Sequence, residues 1–260
     1  MFVANDGGNG GAMWFEGQSS ALVVGCEIHL NTVGGIGGGI GIGAAASPTI
    51  RGCDIHDNTA STGGGVCSSA VGGAIEGCTI TGNTATYGGG IALTSSTGCI
   101  IRDTSIDSND AVNSGGGLHA YYSSFEMQEC MVESNSTQWE AGALWLDNTD
   151  ALLTGSRFFD NSAAESTGGI VIENSTFVVT SSEIAGNGVA LTIAGTGAST
   201  ADARHNWWGH DSGPYHPTLN PGGLGDTVGS GVQFTPWNVV TGVAEQSSHV
   251  TWSAIKASYR

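Results

Sequence analysis

Across 260 residues the chain carries 44 glycines, 11% charged residues and a formal charge of −17, with six Lys and Arg against 23 Asp and Glu. That balance argues against nucleic acid as a partner, because binding phosphates needs a basic face that displaces counterions, and against an anionic membrane surface for the same reason. No run of roughly 18 apolar residues occurs, so no helix inserts into a bilayer.

From the N-terminus onward one unit repeats. Asn5, Asn31, Asn58, Asn83, Asn109, Asn135, Asn161 and Asn187 follow one another at spacings of 26, 27, 25, 26, 26, 26 and 26. Three residues before each stands Phe2, Ile28, Ile55, Ile80, Ile106, Val132, Phe158 or Ile184. From Asn31 onward, five residues before each stands Cys26, Cys53, Cys78, Thr104, Cys130, Ser156 or Ser182, and eight before stands Val23, Ile50, Ile75, Ile101, Met127, Leu153 or Val179. A glycine column runs through Gly39, Gly64, Gly90, Gly116, Gly142 and Gly168. A fixed period of this length marks a solenoid. Apolar residues alternate with small polar ones, which is strand patterning, and no helical spacing interrupts it.

The pattern predicts an all-β, single-domain, right-handed parallel β-helix of about 26 residues per coil and about 8 coils over residues 1–205. Asn31, Asn58, Asn83, Asn109, Asn135, Asn161 and Asn187 are expected to form an inward amide ladder at a bend where Asn tolerates left-handed backbone. The glycine column is read as a second left-handed bend. Cys26, Cys53, Cys78 and Cys130 read as a buried stack of small groups, and whether the first three form a disulfide stays open, since stacked side chains give an awkward torsion.

The inward Asn column resembles the pectin-lyase-like superfamily. The Gly89-Gly90-Ile91 and Phe158-Phe159-Asp160-Asn161 units resemble polymorphic outer-membrane protein repeats. Asn206-Trp207-Trp208-Gly209, followed by Ser212-Gly213-Pro214, resembles the closing segment of secreted bacterial β-helix proteins. The resemblance implies an extracellular or cell-surface protein. The N-terminus has no basic segment followed by an apolar run, so an export signal is expected upstream of this sequence.

The ends read differently. Residue 1 falls inside a coil, and this end is expected to dock on upstream sequence or a partner, since an open solenoid end exposes core and strand edges. Residues 206–237 hold four of the five prolines and read as a cap loop. Residues 238–260 read as a tail with a short helix presenting Trp252, Ile255 and Tyr259 on one face.

Strand parity places candidate chemistry. His119, Tyr121, Trp145, Asp147 and Glu173 are expected on one outward face, with Trp139 and Tyr122 close in sequence. Tyr121, Trp145 and Trp139 could cover the apolar faces of sugars. Asp147 and Glu173, with His119, are the candidate catalytic groups, because carboxylates about 5 Å apart suit a retaining glycosidase. Glu27, His29, Asp54 and His56 form a candidate cation site, Ca²⁺ included, although exposed His residues pair with acids for other reasons. His205, His210, Asp211 and His216 in the cap form a second one. Arg51, Glu76 and Arg102 read as a structural charge column.

The sets that the resemblance would lead one to expect of a pectate lyase or polygalacturonase are absent, apart from the lone Asn148-Thr149-Asp150. Two functions follow. One is a non-catalytic surface module for adhesion, assembly or glycan binding, with no cofactor. The alternative is a polysaccharide lyase or glycoside hydrolase. The partner in either case is a polysaccharide or cell-surface glycan.

Overall fold

The computed structural model describes residues 1–194 and 198–239, so the tail helix expected around Trp252 lies outside the described residues. Among the described residues there is no helix. Short strands form four sheets, stacked as a right-handed parallel solenoid of about 8 coils with about 26 residues per coil. One coil shows the plan: Glu27–His29 lies in sheet A, Thr32–Val33 in sheet B, Ile40–Ile42 in sheet C and Thr49–Arg51 in sheet D, before Asp54–His56 returns to sheet A. The register advances one coil at a time, pairing Ile28 with Ile55, Ile55 with Ile80 and Ile80 with Ile106. Each strand points one or two apolar residues inward, and these stack on their equivalents. Ile28, Ile55, Ile80, Ile106, Val132, Phe158 and Ile184 are fully buried, each contributing about 1.5–3 kcal/mol of transfer free energy.

The corners carry the polar side of the sequence. The Asn column lies inside the solenoid as expected, with side-chain amides linked rung to rung at 2.7–3.0 Å from Asn5 to Asn187. The Asn is not the left-handed residue, however. That conformation falls one position earlier, at Leu30, Asp57, Gly82, Ser108, Ser134, Asp160 and Gly186. The left-handed residue turns the chain and the Asn after it points into the stack. Asn109 then makes all four bonds an amide allows. It accepts from the Asn83 backbone and side chain, and it donates to Asn135 Oδ1 and the Ile80 carbonyl, at 2.9–3.0 Å.

The cysteine column obeys the same rule. Gly52, Gly77, Asp103, Glu129, Gly155 and Ser181 have positive φ, and each precedes a column residue. Backbone N–H groups donate to the next rung's side chain, as in Cys130 to Ser156 and Ser156 to Ser182 at 3.2 and 3.1 Å. All six cysteines are free thiols. A third ladder, through Ser96, Ser123, Thr149 and Ser175, links the turn after sheet C. The glycine column needs a different explanation from the one expected. Gly64, Gly116 and Gly142 do not have positive φ; a Cβ on them would lie 2.3–2.4 Å from a carbonyl oxygen of the neighbouring coil. The left-handed residues of this bend are Gly63, Gly88, Gly115 and Ala141.

The segment read as a cap loop does more than cover the end. Gly225–Val228 extends sheet C and Val232–Gln233 extends sheet D. Asn206 closes the second ladder by accepting from the Ser182 N–H at 2.9 Å, and fully buried Trp208 covers the core. Asp226 closes the amide ladder. Its carboxylate accepts from the Gly186 N–H, the Asn187 N–H and the Asn187 side chain at 3.1, 2.8 and 3.2 Å. Burial raises its pKa, opposed by those donors.

Two outcomes are expected in thermal or urea unfolding. Asn109→Ala removes four buried hydrogen bonds and leaves the buried Asn83 N–H without its acceptor, so it costs about 3 kcal/mol, and Asn109→Asp does not restore stability because a carboxylate cannot donate. Asp226→Ala and Asp226→Asn both destabilise by about 1–3 kcal/mol, the second because its NH₂ faces donors. A neutral effect of Asp226→Asn would refute the capping role.

Candidate functional site

The site follows from the bend between sheets B and C. The Gly-Gly bend is tight, so the end of each sheet B strand folds against the outer face of the following sheet C strand. Contacts therefore recur between residues five apart. Ser114 Oγ lies 3.0 Å from His119 Nδ1, and Trp145 Nε1 donates to Glu140 Oε2 at 3.2 Å. On Gly63 and Gly88 a Cβ would meet the Cβ atoms of Cys67 and Ala92, five residues after Thr62 and Tyr87. The outer face of sheet C is thus the floor of a re-entrant corner.

Two outward rows run along that floor. The first is Gly41, Cys67, Ala92, His119, Trp145, Val171 and Thr192, paired one coil to the next. The second is Thr94, Tyr121, Asp147 and Glu173. His119, Tyr121, Trp145, Asp147 and Glu173 therefore share one sheet, as parity implies. Parity does not predict that the first row is covered. His119 is 8% exposed and Val171 2% exposed, whereas Tyr121 is 39% exposed. The expected flat, open face is instead a groove.

Aromatic rings line it coil after coil. His119 stacks on Trp145 with centroids 4.6 Å apart and planes 12° from parallel, and Tyr87 tilts against His119 at 5.2 Å. Beside them Tyr121 meets Tyr122 edge to face at 4.5 Å. Thr62, Tyr87, Thr94, His119, Tyr121 and Trp145 line a hollow of about 340 Å³. Burial lowers the His119 pKa to about 4, so its ring is neutral at neutral pH. Trp139, 51% exposed, sits one residue before Glu140 at the rim.

The carboxylates are held by neighbours. Asp147 Oδ1 accepts from Asn148 Nδ2 at 2.8 Å and Asn174 Nδ2 at 3.0 Å. Glu173 lies beside it on the paired strand. Tyr87, Thr62, Ser114 and Glu140 were not among the residues singled out from sequence. The signal was present: each lies five residues before a member of the first row, across the Gly-Gly bend.

The other candidates are arranged differently. His29 and His56 stack at 4.7 Å, and His56 Nδ1 lies 2.8 Å from Asp57 Oδ2 with Glu27 at 3.8 Å from Nε2. The Asp57 contact raises the His56 pKa, and Asp54, Asp57 and Glu27 add to the shift against desolvation. Asp54 faces Glu27 in register. In the cap, His210 Nδ1 contacts Ser212 Oγ at 2.8 Å, and buried His216 accepts from the Thr218 and Leu219 N–H groups at 3.3 and 3.1 Å. Among the described residues, no three His, Cys, Asp or Glu side chains come together as metal ligands.

Four stacked sheets, inward ladders and a grooved outer face define a right-handed parallel β-helix. Within that class the chain belongs to the family described as right handed beta helix region, whose model matches residues 3–110 and 61–207. No curated protein and no solved structure matches the chain.

The buried imidazole gives a pH prediction. Its folded-state pKa lies below the free value of about 6.5, so the neutral ring's contribution is complete above that value and is lost as pH falls through about 4. His119→Phe should therefore lose about 2–3 kcal/mol less stability than the parent between pH 7 and pH 4. Equal losses in unfolding titrations at the two pH values would show that His119 is not held neutral by burial.

Proposed function

We propose that this chain is an extracellular or cell-surface β-helix module that binds a glycan polymer in the groove between sheets B and C, without cleaving it. One observation carries the reading: Tyr87, His119 and Trp145 continue from coil to coil in ring-to-ring contact along the groove, with Tyr121 alongside. Rings cover the apolar faces of pyranoses, and the hydroxyls of Thr62 and Thr94 suit the sugar's polar edges. A groove running along the solenoid axis suits a polymer, because each added sugar meets another coil. Adhesion or surface assembly is the setting in which such binding would act.

The alternative is hydrolysis or lysis by Asp147 and Glu173. Their neighbouring positions favour it, since paired strands lie about 4.8 Å apart and a retaining pair needs about 5 Å. The two amides on Asp147 favour a fixed, positioning carboxylate instead.

The two readings separate in one set of assays. Calorimetry and reducing-end release are measured against a panel of cell-wall and capsular polysaccharides. Binding without turnover is expected, with Trp145→Ala weakening affinity by about tenfold or more, on the scale of a lost aromatic anchor. Turnover that disappears in both Asp147→Asn and Glu173→Gln would replace the binding module with an enzyme.

A further inference from the structure

We infer that the groove selects an uncharged glycan and rejects polymers bearing carboxylates or sulfates; this rests on the glycan reading above. Charge governs this selectivity, through every described Arg and Lys. Recognition of an acidic sugar draws on Arg or Lys, because their donors match carboxylate and sulfate oxygens. The chain has six such residues, and Lys256 and Arg260 lie outside the described part.

Each of the other four is already engaged by an acid. Arg51 and Arg102 clasp the two oxygens of Glu76 at 2.8 and 2.7 Å, and this contact holds the Glu76 carboxyl below its ordinary range. Arg157 Nε lies 3.1 Å from Glu183 while its guanidinium covers the Phe159 ring at 4.8 Å. Arg204 forms a two-point pair with Asp202 at 2.8 and 2.6 Å. None of the four belongs to sheet C or lines the groove.

The groove itself carries the opposite sign at its edges. Its six lining residues are uncharged at neutral pH, His119 included. Glu140 stands at Trp145, Asp147 continues the row of Tyr121, and Glu173 continues the row of Asp147. These acids sit within a Debye length of a ligand on the rings, about 10 Å at 0.1 M salt, on a chain of net charge −17. A uronate or sulfated sugar on Trp145 would lose its hydration and meet carboxylates in return, a like-charge arrangement that interfaces use for rejection. A neutral sugar loses little and keeps the ring contacts.

The test is affinity electrophoresis of the whole chain through gels that contain one polysaccharide each. The neutral probes are a β-glucan, a galactan and a mannan; the acidic probes are polygalacturonate, alginate and dextran sulfate. Retardation by at least one neutral polymer is expected, reduced in Trp145→Ala. Each acidic polymer should bind at least about tenfold more weakly, equal to about 1.4 kcal/mol, with the gap narrowing as salt is raised. Charge reversal near the groove, by Glu173→Lys, should raise affinity for acidic polymers relative to the neutral one. Retardation by an acidic polymer equal to or greater than by every neutral one overturns the charge selectivity and leaves glycan binding standing. Retardation by none overturns both.

Discussion

Everything in this molecule depends on satisfying backbone groups at corners that are buried inside the stack. A coil must change direction several times in about 26 residues, and each change takes peptide N–H and C=O groups out of the strand ladder. Left unpaired in the interior, each would cost about 1–3 kcal/mol. The solution repeats at three corners: a left-handed residue reverses the chain, and the next residue sends in a short polar side chain that serves the coils before and after it. Asn does this at one corner, Cys, Thr or Ser at the second, Ser or Thr at the third. Once the corners are fixed, strands of two to six residues suffice, and the apolar residues between them stack into a continuous core.

The groove is a by-product of the fourth corner, where no ladder runs. Close approach of backbone to backbone replaces it, and only residues without a Cβ fit at Gly64, Gly116 and Gly142. The bend is sharp enough for the end of one sheet to reach over the next. That overlap shields His119, pairs it with Ser114 and lays the aromatic rings side by side. A wider bend would have left the same residues on an open sheet, solvated and independent. The shape of the groove follows from the steric minimum of glycine.

How much of this could be read from residues alone differs by feature. The solenoid and its Asn ladder were legible, because Asn31 to Asn187 recur in phase with the buried Ile and Val column and periodicity constrains every coil at once. The partners of the left-handed corners were misplaced by one residue, since Asn5, Asn31 and their equivalents are the conspicuous members and the Leu, Asp, Ser or Gly before them shares no side-chain type. For the site, alternation correctly gave the sheet and direction of His119, Trp145 and Tyr121. It could not give concavity, which depends on the angle between sheets, and so Tyr87 and Ser114 went unnoticed. Asp226 carried no signal at all: it lies 39 residues beyond Asn187, off the period, and chain folding alone brings it to the ladder.

The amide ladder also has a direction. Every rung gives its side-chain hydrogen to the oxygen of the rung that follows, from Asn5 through to Asn187, and the last donor meets a group that can only receive. Such a one-way chain tolerates gain or loss of whole units anywhere along its length, because any coil delivers to its successor what its predecessor delivered to it. Its end needs an acceptor for the last hydrogen, and here the Asp226 carboxylate supplies it. The number of windings is therefore free to drift by duplication or deletion, while the terminating acceptor must travel with the final one.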